Sequence, residues 1–169
     1  GFINIGTSID KAFSDRKARV KEIDELAQKS AAEMEAYEGG QDPWLSDVLF
    51  DGIDDGRNKI YGWSQEVLED KITQSEFTRR VDNMKTTLSG ISSSIKNYDD
   101  RMLAINQRSA DGESGSFELY KNLRLAREAN FKNSGISWNS SGKGYLVQYN
   151  EDGEIVSQED PTRINTPGN

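Results

Sequence analysis

Between Phe77 and Ile105 the apolar residues fall at Phe77, Val81, Met84, Leu88, Ile91, Ile95, Tyr98, Met102 and Ile105. The steps between them alternate between four and three residues without a miss. A helix turns once in about 3.6 residues, so this spacing puts all nine on one stripe and predicts a long helix packed lengthwise. Such a seam is an assembly device rather than an active site. The remainder of the chain reads as partners for it, or as ends and decoration.

A second array supplies a mate. The heptad positions Ile9, Phe13, Arg16, Val20, Ile23, Ala27, Ser30, Met34 and Tyr37 follow the same rhythm, with Ile9, Phe13, Val20, Ile23, Ala27, Met34 and Tyr37 as the mate seam. Thr7 with Asp10 gives a capping-box-like start, and Glu38-Gly39-Gly40 gives a stop. The predicted helix therefore runs over 8–38, and Glu25 and Lys29 are placed for an i,i+4 pair. Its length suits an antiparallel pairing with a helix over about 75–109, whose softest part is Gly90 and the serines at 92–94.

The connection between the arrays is elaborate. Asp42-Pro43 predicts a helix start, giving a short helix over 43–50. Trp44, Phe50, Tyr61 and Trp63 make 42–63 the most aromatic segment, and residues 42–70 carry eight acidic against two basic residues. This stretch is expected to form an acidic, aromatic knob closing one end of the helix pair. A further helical piece over 64–72 carries Val67, Leu68 and Ile72. The seam then fails at Asp70 and Gln74, and Thr73-x-x-Glu76 offers a fresh cap.

After a loop at 111–115, Leu119, Tyr120, Leu123 and Ala126 predict a helix over 117–132 and complete a helical domain over 1–134. The character then changes. Tyr145–Tyr149 and Glu154–Ser157 flank Asn150-Glu151-Asp152-Gly153, a hairpin signal. The expectation is a β hairpin appendage over 135–157, which must lie on the helices, pair with Ile136–Trp138 or join a partner's sheet. From 158 to 169 the chain reads as a polar extended tail. The expected fold class is mainly α: an elongated antiparallel long-helix pair, shorter helices at one end, and a small C-terminal β hairpin.

Composition narrows the chemistry. The 169 residues include no Cys and no His. Thiolate catalysis, disulfides and Ser-His-Asp systems therefore have no residues to work with. Net charge is -8, which makes the chain a poor candidate for binding nucleic acid as its main partner. Mean hydropathy is -0.79, and no apolar run reaches the roughly 18–20 residues of a membrane span.

Candidate motifs fall short of their patterns. Asp51, Asp54 and Asp55 beside Gly52 and Gly56 suggest a calcium loop, but Ile53 and Gly62 occupy the third and twelfth positions, where ligands belong. These aspartates read as solvated turn carboxylates. Ser93-x-x-Lys96 has the spacing of a serine-lysine nucleophile without its companion elements. Gly142-Lys143-Gly144 lacks the hydroxyl residue and following helix of a phosphate loop, and reads as a turn. The basic clusters Arg16, Lys17, Arg19, Lys21 and Arg79, Arg80 read as solvated helix faces. No cofactor, metal or catalytic residue is assigned.

The expected function is accordingly non-enzymatic: a structural subunit of a larger protein assembly, packing through its long helices with copies of itself or with other chains. The alternative is a soluble helical adaptor or regulatory module that docks through Trp44, Phe50, Tyr61 and Trp63. With long polar heptad helices, no Cys, a small β element and peptide-like ends, the chain resembles in character the helical structural proteins of tailed bacteriophage virions, such as internal core, ejection, neck or tail components. That resemblance implies a place in the virion; the adaptor reading implies the cytoplasm. The first residue is Gly, so the chain is expected to have lost an initiator or to be a piece of a longer protein.

Overall fold

In the computed structural model the described residues are 2–110, 118, 121, 122, 124, 125 and 131–160. They form three helices followed by a small three-stranded antiparallel sheet. The helices are α1 (Phe2–Met34), α2 (Pro43–Leu68) and α3 (Gln74–Ala110), and the strands are β1 (Ser134–Trp138), β2 (Gly144–Tyr149) and β3 (Ile155–Glu159). The helix expected over 117–132 lies largely outside the described residues. Within that span Phe131 is buried and meets Tyr98 edge-on, with ring centroids 6.0 Å apart.

The segment between the long helices is not a knob over 42–63 followed by a separate helical piece over 64–72. It is one continuous helix of 26 residues, about 39 Å long. Asp42 caps it, accepting a hydrogen bond from the Leu45 N–H at 2.9 Å, and Pro43 opens it. Gly52, Gly56 and Gly62 all weaken a helix by propensity, and tertiary packing overrides them. Leu45, Val48, Leu49, Ile53, Ile60, Trp63 and Val67 are buried along its length.

Helix directions follow from the crossing contacts. Arg19 on α1 meets Asp70 just beyond α2, and Glu35 meets Arg57. Glu66 on α2 meets Arg80 on α3, and Gly56 lies against Met84. So α2 runs antiparallel to both neighbours, and α1 and α3 point the same way. The expected antiparallel pairing of α1 with α3 within the chain is therefore corrected. α2 takes that place, because its length lets it pair with each long helix in turn. Direct ties between α1 and α3 are sparse, with Lys85 pairing with Glu33. The segment after α1 lies along α3, where the Tyr37 hydroxyl donates to the Lys85 carbonyl at 3.2 Å and Ser92 Oγ donates to the Glu38 carbonyl at 3.3 Å.

Helix ends also shift from the expected positions. α1 begins at Phe2 rather than at residue 8, and gives way at Glu35–Ala36 to tighter i→i-3 bonds before Tyr37. The turn joining α2 to α3 uses Asp70 at φ 59°, and Thr73 Oγ1 accepts from the Glu76 N–H at 3.0 Å to start α3. α3 runs through Gly90 without a break.

The hairpin is not an appendage. β1 pairs with β2, and β2 with β3, so the sheet has three strands, and β3 extends through Glu159 into the stretch expected to be tail. Alternation on β1 turns Ile136 and Trp138 inward, where both are buried in the same core as the helices. The Trp138 indole N–H donates to the Gly52 carbonyl at 2.8 Å, across 86 residues of sequence. Close approach is what glycine permits here: a Cβ on Gly52 would overlap the Ile136 side chain, and one on Gly56 would lie 2.9 Å from Met84 Sδ. The Asn139–Gly144 turn is pinned in the same way. Gly142 has φ +85° and sits against the Arg80 carbonyl of α3.

Two glycines of α2 should therefore respond oppositely. Gly52→Val should overpack the contact with Ile136 and lower unfolding free energy in urea by about 1–3 kcal/mol. Gly62 has nothing within 4 Å of an added Cβ, and Gly62→Ala should raise it by about 0.5–1 kcal/mol.

Candidate functional site

All nine residues of the α3 stripe are buried, from Leu88 and Met84 at 0% exposure to Met102 and Ile105 at 7%. That stripe is interior and is not offered to a partner. The α1 stripe is divided. Ile23, Ala27 and Met34 are buried and Tyr37 is half-buried, but Ile9, Phe13 and Val20 are 62%, 71% and 43% exposed. The cause is geometric. α1 crosses α2 antiparallel, and α2 ends at Leu68, opposite the Arg19 region. Arg19 marks the last crossing, donating to the Val67 carbonyl at 3.0 Å and to Asp70 at 2.9 Å. Every described side chain from Ser8 to Glu22 is exposed. The first half of α1 is thus an arm that outruns its neighbours. At its root, open grooves on either side of the helix share Val20 and Leu68 in their walls.

The four candidate docking aromatics separate in the same way. Trp63 is buried, with the Arg80 guanidinium 5.6 Å from its ring centroid, and Trp44 is half-buried against the core. Phe50 and Tyr61 are 49% and 41% exposed. Between and beside them stand Asp47, Asp51, Asp54 and Asp55, all exposed. These carboxylates lie on α2, not in a turn. The spacing 47, 50, 51, 54 is that of one helix face, and Tyr61 follows three turns after Phe50. The spacing of this stripe is visible in the sequence, but Gly52 and Gly56 among the aspartates are equally the residues of a loop. Asp54 lies 3.6 Å from Arg57, which also pairs with Glu35 at 3.1 Å. Among the described residues no three acidic groups converge to hold a metal ion.

A charged cluster closes the α2–α3 corner. Glu76 accepts from Arg79 Nη2 at 2.7 Å and from Arg80 Nε at 3.0 Å, while Arg80 Nη1 reaches Glu66 at 3.3 Å. The hydrogen bonds from Arg79 and then Arg80 hold the Glu76 carboxyl down at about 2. Arg80 is the keystone, since it also lies over Trp63 and carries the carbonyl against which Gly142 packs. The two basic clusters therefore differ: Arg79 and Arg80 are engaged within the chain, and Arg16 and Lys17 stand on the exposed arm. Ser93 and Lys96 are both exposed on α3. Other exposed apolar residues are Leu103 on α3 at 68%, Leu125 at 57%, and Ile155 and Val156 on the edge strand β3 at 50% and 63%.

Compared with known proteins, the chain matches no family model, no curated protein and no solved structure.

The Glu76 cluster predicts a pH dependence of definite sign. Its pKa is lowered in the fold, so its stabilisation is complete above the ordinary value of 4.5 and is lost as pH falls towards 2. Thermal melts of the native chain and Glu76→Gln should differ above pH 5 and converge near pH 2.

Proposed function

We propose that the chain is a non-enzymatic structural subunit of a larger protein assembly. The observation that carries this reading is the divided stripe of α1. One periodic row of apolar residues is core from Ile23 to Met34 and exposed at Val20, Phe13 and Ile9. A lone helix of this length is marginal in water, because most helix stability in proteins comes from packing of the apolar face. Another protein chain over the arm would extend the row of buried contacts and complete a long, elongated helix pairing between molecules. The exposed edge strand β3 gives a second place where a neighbour can pair by backbone hydrogen bonds.

The class of assembly we propose is a virion of the tailed-bacteriophage kind. Long polar heptad helices, a Cys-free composition and a small terminal sheet support it. The adaptor reading rests on the exposed Phe50 and Tyr61. It requires a subunit that stays single until its target arrives.

Light scattering after size exclusion separates the two. The assembly reading expects a mass above the 18.9 kDa of one chain that rises with concentration. Phe13→Ser should weaken association on the order of tenfold or more, since it removes a large apolar contact, while leaving the melting temperature of the bundle unchanged. A monomer across a wide concentration range counts against assembly and for the adaptor.

A further inference from the structure

The arm and the acidic stripe of α2 are opposite in charge and lie at opposite ends of the helix layer. Residues 8–22 carry Lys11, Arg16, Lys17, Arg19 and Lys21 against Asp10, Asp15 and Glu22, a net charge of +2. From Asp47 to Tyr61 the stripe carries Asp47, Asp51, Asp54 and Asp55 against Arg57 and Lys59, a net charge of -2; Arg57 lies 3.6 Å from Asp54, whereas Asp47 and Asp51 are exposed at the stripe's start. Each surface also holds exposed apolar area: Ile9, Phe13 and Val20 on the arm, Phe50 and Tyr61 on the stripe. The lengths agree as well. Ile9 and Val20 are eleven residues apart, as are Phe50 and Tyr61, and both pairs span about 16 Å of helix.

From this complementarity we propose that the arm of one copy of the chain docks on the acidic α2 stripe of a second copy. The arm cannot fold back onto its own stripe. It leaves α2 at the Leu68 end, and Phe50 lies eighteen residues, about 27 Å, back along that helix. The contact is therefore intermolecular and head-to-tail, with different surfaces on its two sides. Such an interface closes into a ring or runs on as a filament, according to the rotation between successive copies. Phe13 and Phe50 supply the apolar centre. Arg16 and Lys17 face Asp47 and Asp51 around it and set the register, and opposite charge across the contact speeds encounter. The inference rests on the assembly reading and deepens it by naming the two surfaces.

Reciprocal charge reversal tests it on the full chain. The arm variant is Arg16→Glu with Lys17→Glu, the stripe variant is Asp47→Lys with Asp51→Lys, and a third chain carries all four changes. Circular dichroism at 222 nm first shows that each variant keeps its helix. The arm variant and the stripe variant should each associate on the order of tenfold more weakly than the native chain, and the fourfold variant should recover native association. A stripe variant that assembles like the native chain overturns the proposal and leaves the assembly reading standing, since the arm then has another occupant. A fourfold variant as dissociated as the two single-surface variants also overturns it. A native chain that stays monomeric at all concentrations overturns both the proposal and self-assembly.

Discussion

The approach of β1 to the α2 backbone is the contact on which the rest of the structure depends. Trp138 donates to the Gly52 carbonyl, and Ile136 occupies the space a side chain at Gly52 would need. A helical carbonyl bonded from outside and a missing Cβ together let the sheet sit against the helix at backbone distance. Gly56, one turn on, admits Met84 from α3 in the same manner. α2 is thus enclosed by α1, α3 and β1. Three neighbours around one helix explain why a chain with 34% apolar residues still builds a single continuous core. They also explain why glycines, which cost a helix stability by propensity, stand in its middle.

With α2 at the centre, the length of each outer helix decides what remains exposed. α3 has cover along its entire apolar stripe, from α2, from the segment after α1, from the sheet and from Phe131. α1 has cover only as far as α2 reaches. The Arg19 contacts with Val67 and Asp70 fasten α1 at that limit, and the residues before it carry on alone. It is this exposed apolar stretch on which the proposed contact with a neighbouring molecule rests. The same logic makes the charge asymmetry meaningful, because a basic arm at one end and an acidic stripe near the other can meet only between molecules.

Much of the helical fold was legible in the residues. The nine-residue stripe from Phe77 to Ile105 needs only the 3.6-residue period, and the Asp42–Pro43 and Thr73–Glu76 starts need only capping chemistry. What could not be read were features set by contacts distant in sequence. The continuity of α2 through Gly52 and Gly56 depends on Ile136 and Met84, some 84 and 28 residues away. Without those neighbours, glycines and aspartates suggest a loop. The direction of α1 relative to α3 depends on the same contacts: a knob over 42–63 leaves the two long helices no partner but each other. The acidic stripe was visible as spacing, yet it became a helix face only once α2 was whole. Trp63 is buried because it shares the face of Ile60 and Val67, with Arg80 over its ring, whereas Phe50 stands on the exposed face of Asp47, Asp51 and Asp54.

The central claim is that the stripe of α1 is completed by another molecule from Val20 towards its start. Hydrogen exchange of backbone amides, followed by mass spectrometry over a range of chain concentrations, tests it most directly. A single helix without tertiary cover opens readily, whereas one packed along its stripe does not. The account predicts that protection over residues 8–18 rises with concentration, while protection of α2 and α3 stays constant. Protection of 8–18 that is the same at every concentration would contradict it.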